Sequence, residues 1–355
     1  ANFYFRNLVA GNDKRGLQYF VSRQLKPETI KKYGLGYAPD SWNTLTDHLL
    51  KKGFTEEELL AANVAHRSGK GNLYDAFRGR VMFPIVDTRG AVIGFGGRVL
   101  DDSQPKYLNT AKTPVFDKGR NLFSLNFAKD SSSTHMILAE GYMDVIAINQ
   151  AGFSNVVATL GTAITPEQAR KLTQYAKEMI IAYDSDGPGQ QATQKAINRF
   201  SEVGMPSRIL HMTGAKDPDE FIKNMGAEAF QERIDQAQNS FLFEIEVLKR
   251  DYNLEDPEQK TNFYNAVARK LLEFPEALER DNYTQAVARE QFIPYQELKQ
   301  LVSRLSSRIV PGAEQTQPRE EFSPRERKKE KEDGARQSQR LLLTWLIENP
   351  ALFDK

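Results

Sequence analysis

From residue 135 the chain alternates short apolar runs with helical patterns, and two of the apolar runs stop on an acid. HMILA (135–139) is followed by Glu140-Gly141 and a helical pattern from Tyr142 to Gln150. NVVATL (155–160) precedes a helix start at Thr165-Pro166-Glu167, a threonine N-cap followed by a proline in the first turn. EMIIAY (178–183) runs into Asp184-Ser185-Asp186-Gly187 and a helix from Pro188 to Val203, and RILHM (208–212) leads to another helix near 219. Near-continuous apolar strands alternating with helices predict a parallel sheet covered on both faces, an α/β architecture. In such sheets sites form at the carboxyl ends of the strands, where Glu140 and the Asp184/Asp186 pair fall.

An apolar strand has no structural need of an acid as its next residue. In extended chain, positions i and i+2 project to one side, so Asp184 and Asp186 can reach a common point. Asp217-Pro218-Asp219-Glu220 repeats the spacing after the next apolar run. Crowded carboxylates repel unless a cation neutralises them. Oxygen donors suit Mg²⁺ or Mn²⁺, and two or more such ions can clamp the attacking and leaving oxygens of a phosphoryl transfer. Each cluster also has a plain reading: Asp-x-Asp-Gly is common in turns, and Asp217 suits a helix cap. Asp144 reads as a cap of its own helix or as an acid supporting Glu140. Gly161-Thr162 reads as close backbone approach or as a tight turn.

The remainder predicts an α+β chain overall. Residues 17–62 read as short helices, with Leu45, Leu49 and Leu50 at helical spacing. RVMFPIVD (80–87) and AVIGFGGRVL (91–100) read as a hairpin across Thr88-Arg89-Gly90, in which Gly94, Gly96 and Gly97 predict bulges or close approach. Beyond 226 the pattern predicts helices over 227–252, 257–274, 282–290 and 294–308. Residues 311–339, with the charged run REEFSPRERKKEKED, predict a flexible linker. LLLTWLIENPALF (341–353) reads as the start of a further helix, and the chain as an excised fragment.

Net charge is +1, but it is unevenly spread: residues 66–130 carry 11 Lys/Arg against 6 Asp/Glu, and residues 135–235 carry 9 against 13. A basic stretch before an acidic one suits a nucleic-acid groove beside a metal site, or is ordinary surface variation. Arg78, Arg80, Arg98, Lys106 and Lys118 recur near Phe83, Phe95 and Tyr107, and PKYLNT (105–110) sets a cation, an aromatic and an amide on one segment. These are candidates for gripping phosphates and stacking bases, or a solvated face over core aromatics. Cysteine is absent, and the histidines at 48, 66, 135 and 211 show no paired spacing. That excludes disulfides and cysteine-ligated zinc within the chain and accords with a reducing cytoplasm. No apolar run approaches the ~18 residues of a membrane helix.

RVMFPI, IGFGGRVL, PKYLNT, FDKGRNLFSL (116–125), ILAEGYMDVIA (137–147) and YDSDGPGQQA (183–192), in this order, resemble bacterial DnaG-type primases. The similarity runs from about residue 3 to 308. It implies a basic mixed α/β subdomain (1–130), a Toprim parallel-sheet domain (131–225) and a helical subdomain (226–310). The linker (311–339) and the start of a truncated helicase-binding domain (340–355) would follow. It also implies that Glu140, Asp184 and Asp186 are catalytic and, with Asp217 and Asp219, bind metal. Arg98, Lys106, Tyr107, Asn109 and Lys118 fall on a basic ridge contacting template or nucleotide, and Arg23 matches an arginine near the nucleotide. Where the family has Arg-Gly-Leu, Gln24 replaces the glycine. Ser185 replaces the middle glycine of Asp-Gly-Asp, and Pro188-Gly189 stand where Ala-Gly is usual.

The implied activity is synthesis of short RNA primers on single-stranded DNA from ribonucleoside triphosphates, in the bacterial cytoplasm at the replication fork. A replicative helicase is the implied partner, through a C-terminal domain largely missing here. The family's zinc domain is missing too, so no zinc is expected. Two alternatives share the acidic blocks: a Toprim topoisomerase or nuclease, and a non-catalytic single-strand-binding scaffold. A primase–helicase is disfavoured, because no Gly-x-x-x-x-Gly-Lys-Ser/Thr loop occurs.

Overall fold

The first helices take their limits from local sequence. In the computed structural model, which describes residues 1–184 and 187–309, α1 (Asn2–Ala10), α2 (Arg15–Ser22) and α3 (Pro27–Tyr33) precede a short strand, β1 (Gly36–Ala38). Pro27 sits in the first turn of α3, and Gly34 closes it at φ 59°, a left-handed conformation that glycine adopts without strain. Next come α4 (Thr44–Lys51) and α5 (Glu56–Ala61). A reciprocal cap starts α5: Glu58 N–H donates to Thr55 Oγ1, and Thr55 N–H to Glu58 Oε2. β2 (Ala65–Arg67) and β3 (Leu73–Asp75) then form a two-stranded ribbon. Buried Asp75 accepts from Leu45 N–H, Thr46 N–H and Thr46 Oγ1, tying the ribbon to the start of α4.

The predicted hairpin is present as β4 (Arg80–Val86) and β5 (Val92–Val99). With β6 (Tyr107–Asn109) it forms an antiparallel sheet in the order β1-β4-β5-β6. Gly96 and Gly97 pair in regular register with Phe83 and Met82, so close approach rather than a bulge accounts for them. A Cβ on Gly96 would stand 2.5 Å from Tyr142 Cζ and Oη, and one on Gly97 would stand 2.8 Å from the Phe77 ring. The register shift in this pair falls at Ile85/Val86.

After α6 (Leu125–Ala128) the alternating segment folds as β7 (His135–Ala139), α7 (Tyr142–Gln150), β8 (Val156–Ala158), α8 (Pro166–Leu172), β9 (Glu178–Ala182), α9 (Gly187–Ser201) and β10 (Ser207–Ile209). α10 (Pro218–Asp235) and β11 (Gln238–Asn239) complete the sheet, whose order is β11-β10-β9-β7-β8. The pairs β8/β7, β7/β9 and β9/β10 are parallel, and only the short edge strand β11 is antiparallel. Successive side chains on β7 and β9 serve two cores. Ile137, Ala139, Ile180 and Ala182 face one, while Met136, Leu138, Met179 and Ile181 face the other. A strand buried on both sides must read as an unbroken apolar run.

The first of these cores also contains Phe83, Phe116 and Phe123, so it runs through both sheets. Tyr142 is the join: its ring stacks on Phe83 at 4.8 Å and meets Phe123 edge-on at 4.7 Å.

The remaining helices are α11 (Ser240–Lys249), α12 (Pro257–Leu271), α13 (Ala277–Glu290) and α14 (Tyr295–Ile309). The single helix expected over 227–252 is therefore corrected to a broken one. α10 kinks at Gly226 (φ 86°) and stops at Asp235; β11 then pairs with β10, and Asn239 Oδ1 accepts from Phe241 N–H to start α11. An asparagine cap competes with helix continuation, which periodicity alone does not register. Ala1–Val302 is one compact unit; a second begins at Ser303, of which only the end of α14 is described. The expected linker (311–339) and the stretch 340–355 lie outside the described residues. Among the described residues, no helix is long and apolar enough to cross a membrane.

Candidate active site

β7 and β9 are neighbours in register, with Ala139 opposite Ala182, so the residues that follow them leave the same edge of the sheet. Glu140 and Asp184 meet there: Asp184 N–H donates to Glu140 Oε2 at 3.4 Å. A cavity of about 400 Å³ opens over this edge. Glu140, Asp144, Asp184, Asp217 and Asp219 line it on the acidic side; Arg23, Arg98, Lys106, Tyr107, Asn109 and Lys216 also line it.

Asp144 accepts from Gly141 N–H at 3.0 Å and so caps α7, while also reaching the cavity. Its carboxyl is pushed up to about 8, first by burial and then by the charges of Asp217 and Asp184. Burial disfavours the charged form, and the neighbouring acids add to it. The donors are all oxygen, which fits a hard divalent cation rather than zinc. Among the described residues no three such side chains converge tightly enough to ring an ion, and Asp186, the further ligand expected from the sequence, lies outside them.

The two acids at the start of α10 reach the cavity wall already engaged. Asp217 caps the helix, with Glu220 N–H donating to its Oδ1 at 2.8 Å. Asp219, 2% exposed, accepts from Arg23 Nη1 at 3.2 Å and Lys223 Nζ at 2.7 Å through the same oxygen.

Of the basic candidates, Arg23, Arg98, Lys106, Tyr107 and Asn109 come together. Arg98 lies over the Tyr19 ring at 4.7 Å and the Tyr107 ring at 6.0 Å. Asn109 is held at both ends: Tyr142 Oη donates to its Oδ1 at 2.7 Å, and its Nδ2 donates to Leu160 O at 2.8 Å. Gly161, at φ 74°, passes beneath, where a Cβ would come within 3.2 Å of Asn109 Nδ2. Both readings of that glycine thus apply.

Three candidates fall elsewhere. Arg80 is 8% exposed, with Nη1 donating to Pro105 O at 3.0 Å and Gly97 O at 3.3 Å, and lines a second cavity together with Arg78. β4 is buried from Arg80 to Ile85, on both faces, so this cation is largely enclosed, a distinction that a count of cations does not make. Lys118 is exposed but does not line the acidic cavity; its carbonyl accepts from Gln168 Nε2. Arg78 lines the second cavity, of about 630 Å³, with Arg15, Asp40 and Asp101. Its guanidinium lies 4.3 Å from the Trp42 ring centre and 5.4 Å from that of Tyr74.

Trp42 was not among the residues singled out from the sequence, yet it is 66% exposed. The available signal was a tryptophan in the polar loop Pro39-Asp40-Ser41-Trp42, where no core periodicity demands one. Tyr19, which supports Arg98, carried no sequence signal, because it sits on a helix that reads as ordinary.

A parallel sheet with acids at its carboxyl edge, facing cations from an antiparallel sheet, defines a Toprim-like unit joined to a basic α/β unit. Residues 137–222 match the family described as Toprim-like. Residues 3–129 match the N-terminal domain of the DNA primase catalytic core, and residues 241–290 match the DnaB-helicase binding domain of primase. The chain is 34% identical to a DNA primase domain from Pseudomonas aeruginosa, over 85% of this chain and 97% of that one, with a TM-score of 0.72. A DnaG primase catalytic domain bound to ssDNA matches at 32% identity, covering 81% of this chain and 94% of that one, with a TM-score of 0.70. The DNA primase of Clostridium acetobutylicum is 40% identical over 304 residues, 85% of this chain and 50% of that protein. The chain belongs to the bacterial DnaG-type primase family, within its catalytic core. It spans about half the length of the curated relatives it matches. The helicase-binding match lies on α11 to α13, while the stretch after 340, where the start of a helicase-binding domain is expected, lies outside the described residues.

Proposed function

We propose that the chain builds short RNA primers on single-stranded DNA, joining ribonucleotides by divalent-metal-dependent nucleotidyl transfer in the bacterial cytoplasm. The observation that carries this reading is the meeting of Glu140 and Asp184 at one sheet edge, inside a cavity also lined by Arg23, Arg98 and Lys106. Glu140, Asp184 and Asp186 would hold Mg²⁺ or Mn²⁺, two or more ions, which when bound lower the pKa of the attacking 3′-hydroxyl and offset charge on the phosphoryl oxygens. Arg23, Arg98 and Lys106 draw the triphosphate against the acidic edge, with Tyr107 beside them for a base to stack on. Glu140, which is exposed at this edge, would take the hydroxyl proton as pyrophosphate leaves. A replicative helicase docks on α11 to α13, in keeping with the family match there. Incubation with single-stranded DNA, ribonucleoside triphosphates and Mg²⁺ or Mn²⁺ should yield oligoribonucleotides. Their absence with either metal, or relaxation of supercoiled plasmid instead, would turn the reading toward a topoisomerase or nuclease.

The cavity around Arg78 supplies the template grip. An exposed indole backed by a guanidinium offers a base a stacking platform, and the guanidinium can reach a phosphate. Trp42→Ala should weaken binding to oligo(dT) by about tenfold or more, the worth of one stacked base. The salt dependence should stay unchanged, because no phosphate contact is lost. Fluorescence anisotropy over a salt series reads both, and an affinity within about twofold of the unsubstituted chain would remove Trp42 from the grip.

A further inference from the structure

The two acids that open α10 differ in what they touch: Asp217 reaches backbone, and Asp219 reaches cations. The Asp219 side chain is 3% exposed, and its Oδ2 receives both Arg23 Nη1 and Lys223 Nζ. Its Oδ1 has less than 1 Å² of exposed surface and no hydrogen-bond partner. Arg23, by contrast, keeps 39% of its side chain exposed and lines the cavity beside Glu140 and Asp184. It caps the end of α2, and the next residue, Gln24, turns the chain at φ 61°. Its guanidinium lies 5.7 Å from the Tyr19 ring centre.

A long side chain at a helix end samples many rotamers, and holding it in one costs entropy unless charge-assisted contacts fix it. Here a buried carboxylate 196 residues away in sequence lies behind the guanidinium and a phenol ring lies beside it, so Arg23 is directed before any ligand arrives. Both oxygens argue against metal ligation by Asp219: two cationic donors already occupy Oδ2, where a divalent ion would be repelled by both, and Oδ1 is closed off from solvent, the side from which a hydrated ion would arrive.

We propose that Asp219 is a positioning residue, which holds Arg23 so that its exposed face meets the phosphates of the incoming nucleoside triphosphate, and that it is not a metal ligand. This rests on the reading of the cavity as the nucleotide site. Asp219→Asn in the full chain should raise both the Kd for ATP measured without DNA and the nucleotide KM by about tenfold or more, the worth of a charge-assisted contact. The Mg²⁺ concentration that half-saturates primer synthesis should stay within about twofold, and on an Arg23→Ala background the same substitution should add less than about twofold. A higher Mg²⁺ requirement, or a full additional loss on that background, would overturn the proposal.

Lys223→Met tests the same point where the amide variant loses its cooperative melt. A positioning Asp219 leaves the Mg²⁺ requirement unchanged, whereas a metal ligand relieved of its lysine would lower it severalfold and sink the idea. If the unsubstituted chain binds ATP through Arg23 but makes no oligoribonucleotide, primer synthesis falls and the positioning role stands. If ATP affinity ignores Asp219→Asn, the positioning role falls alone.

Discussion

Glu140→Gln should abolish primer synthesis while leaving the chain folded and bound to single-stranded DNA. The amide keeps the shape of the side chain but removes a negative charge and one strong oxygen ligand from the edge where Asp184 N–H already leans on Glu140. Losing both a metal ligand and a proton acceptor should cost about 10³-fold or more in rate. Asp184→Asn should behave alike. The residues proposed to grip DNA lie on other elements, around Trp42 and Arg78, so affinity for oligo(dT) should stay within about threefold. Thermal stability should not fall. Glu140 is exposed at an edge that also holds Asp184, and removing one charge there eases like-charge repulsion without opening a cavity. Stability and activity then move in opposite senses, as expected where a site stores electrostatic strain. Measurable extension by either variant, or loss of DNA binding together with rate, would count against the assignment.

Gly96→Ala should be a severely damaging single methyl group in the antiparallel sheet. The added Cβ would meet the Tyr142 ring at 2.5 Å, and that ring cannot yield, being packed on Phe83 and Phe123 and bonded through Oη to Asn109. Overpacking at a closed site costs about 3 kcal/mol, which would lower Tm by roughly 5–10 °C in a unit of this size. The loss should reach the site as well, because Tyr142 orients Asn109 beside the acidic edge. Combining it with Tyr142→Leu separates the causes: the double variant should melt no lower than Tyr142→Leu alone, since the clash has gone. Circular dichroism melts of the three variants check this, and a fall of less than about 1 °C for Gly96→Ala would show that the join is looser than its packing indicates.

The neighbourhood of β7 and β9 was legible in the sequence because it depends on local rules. Their apolar runs announce strands covered on both faces, and an acid placed next after such a run must emerge at the carboxyl edge. Helix starts at Thr165 and Asp217 were equally local, resting on caps and first-turn prolines. The break between α10 and α11 was not legible, since an Asn cap and a two-residue edge strand leave no periodic trace.

The acidic half of the candidate site, its place after the apolar strands and the kinship with DnaG-type primases follow from the sequence alone, because each is written in consecutive residues. The tertiary structure decided which cations serve that site. Arg98 and Lys106 reach the cavity while Arg80, on the same sheet, is buried against carbonyls; Asp219 turns to Arg23; and Trp42 stands exposed beside Arg78. Long charged side chains take their partners from whatever the fold brings near, up to 196 residues away, and that distance lies beyond any pattern of spacing along the chain.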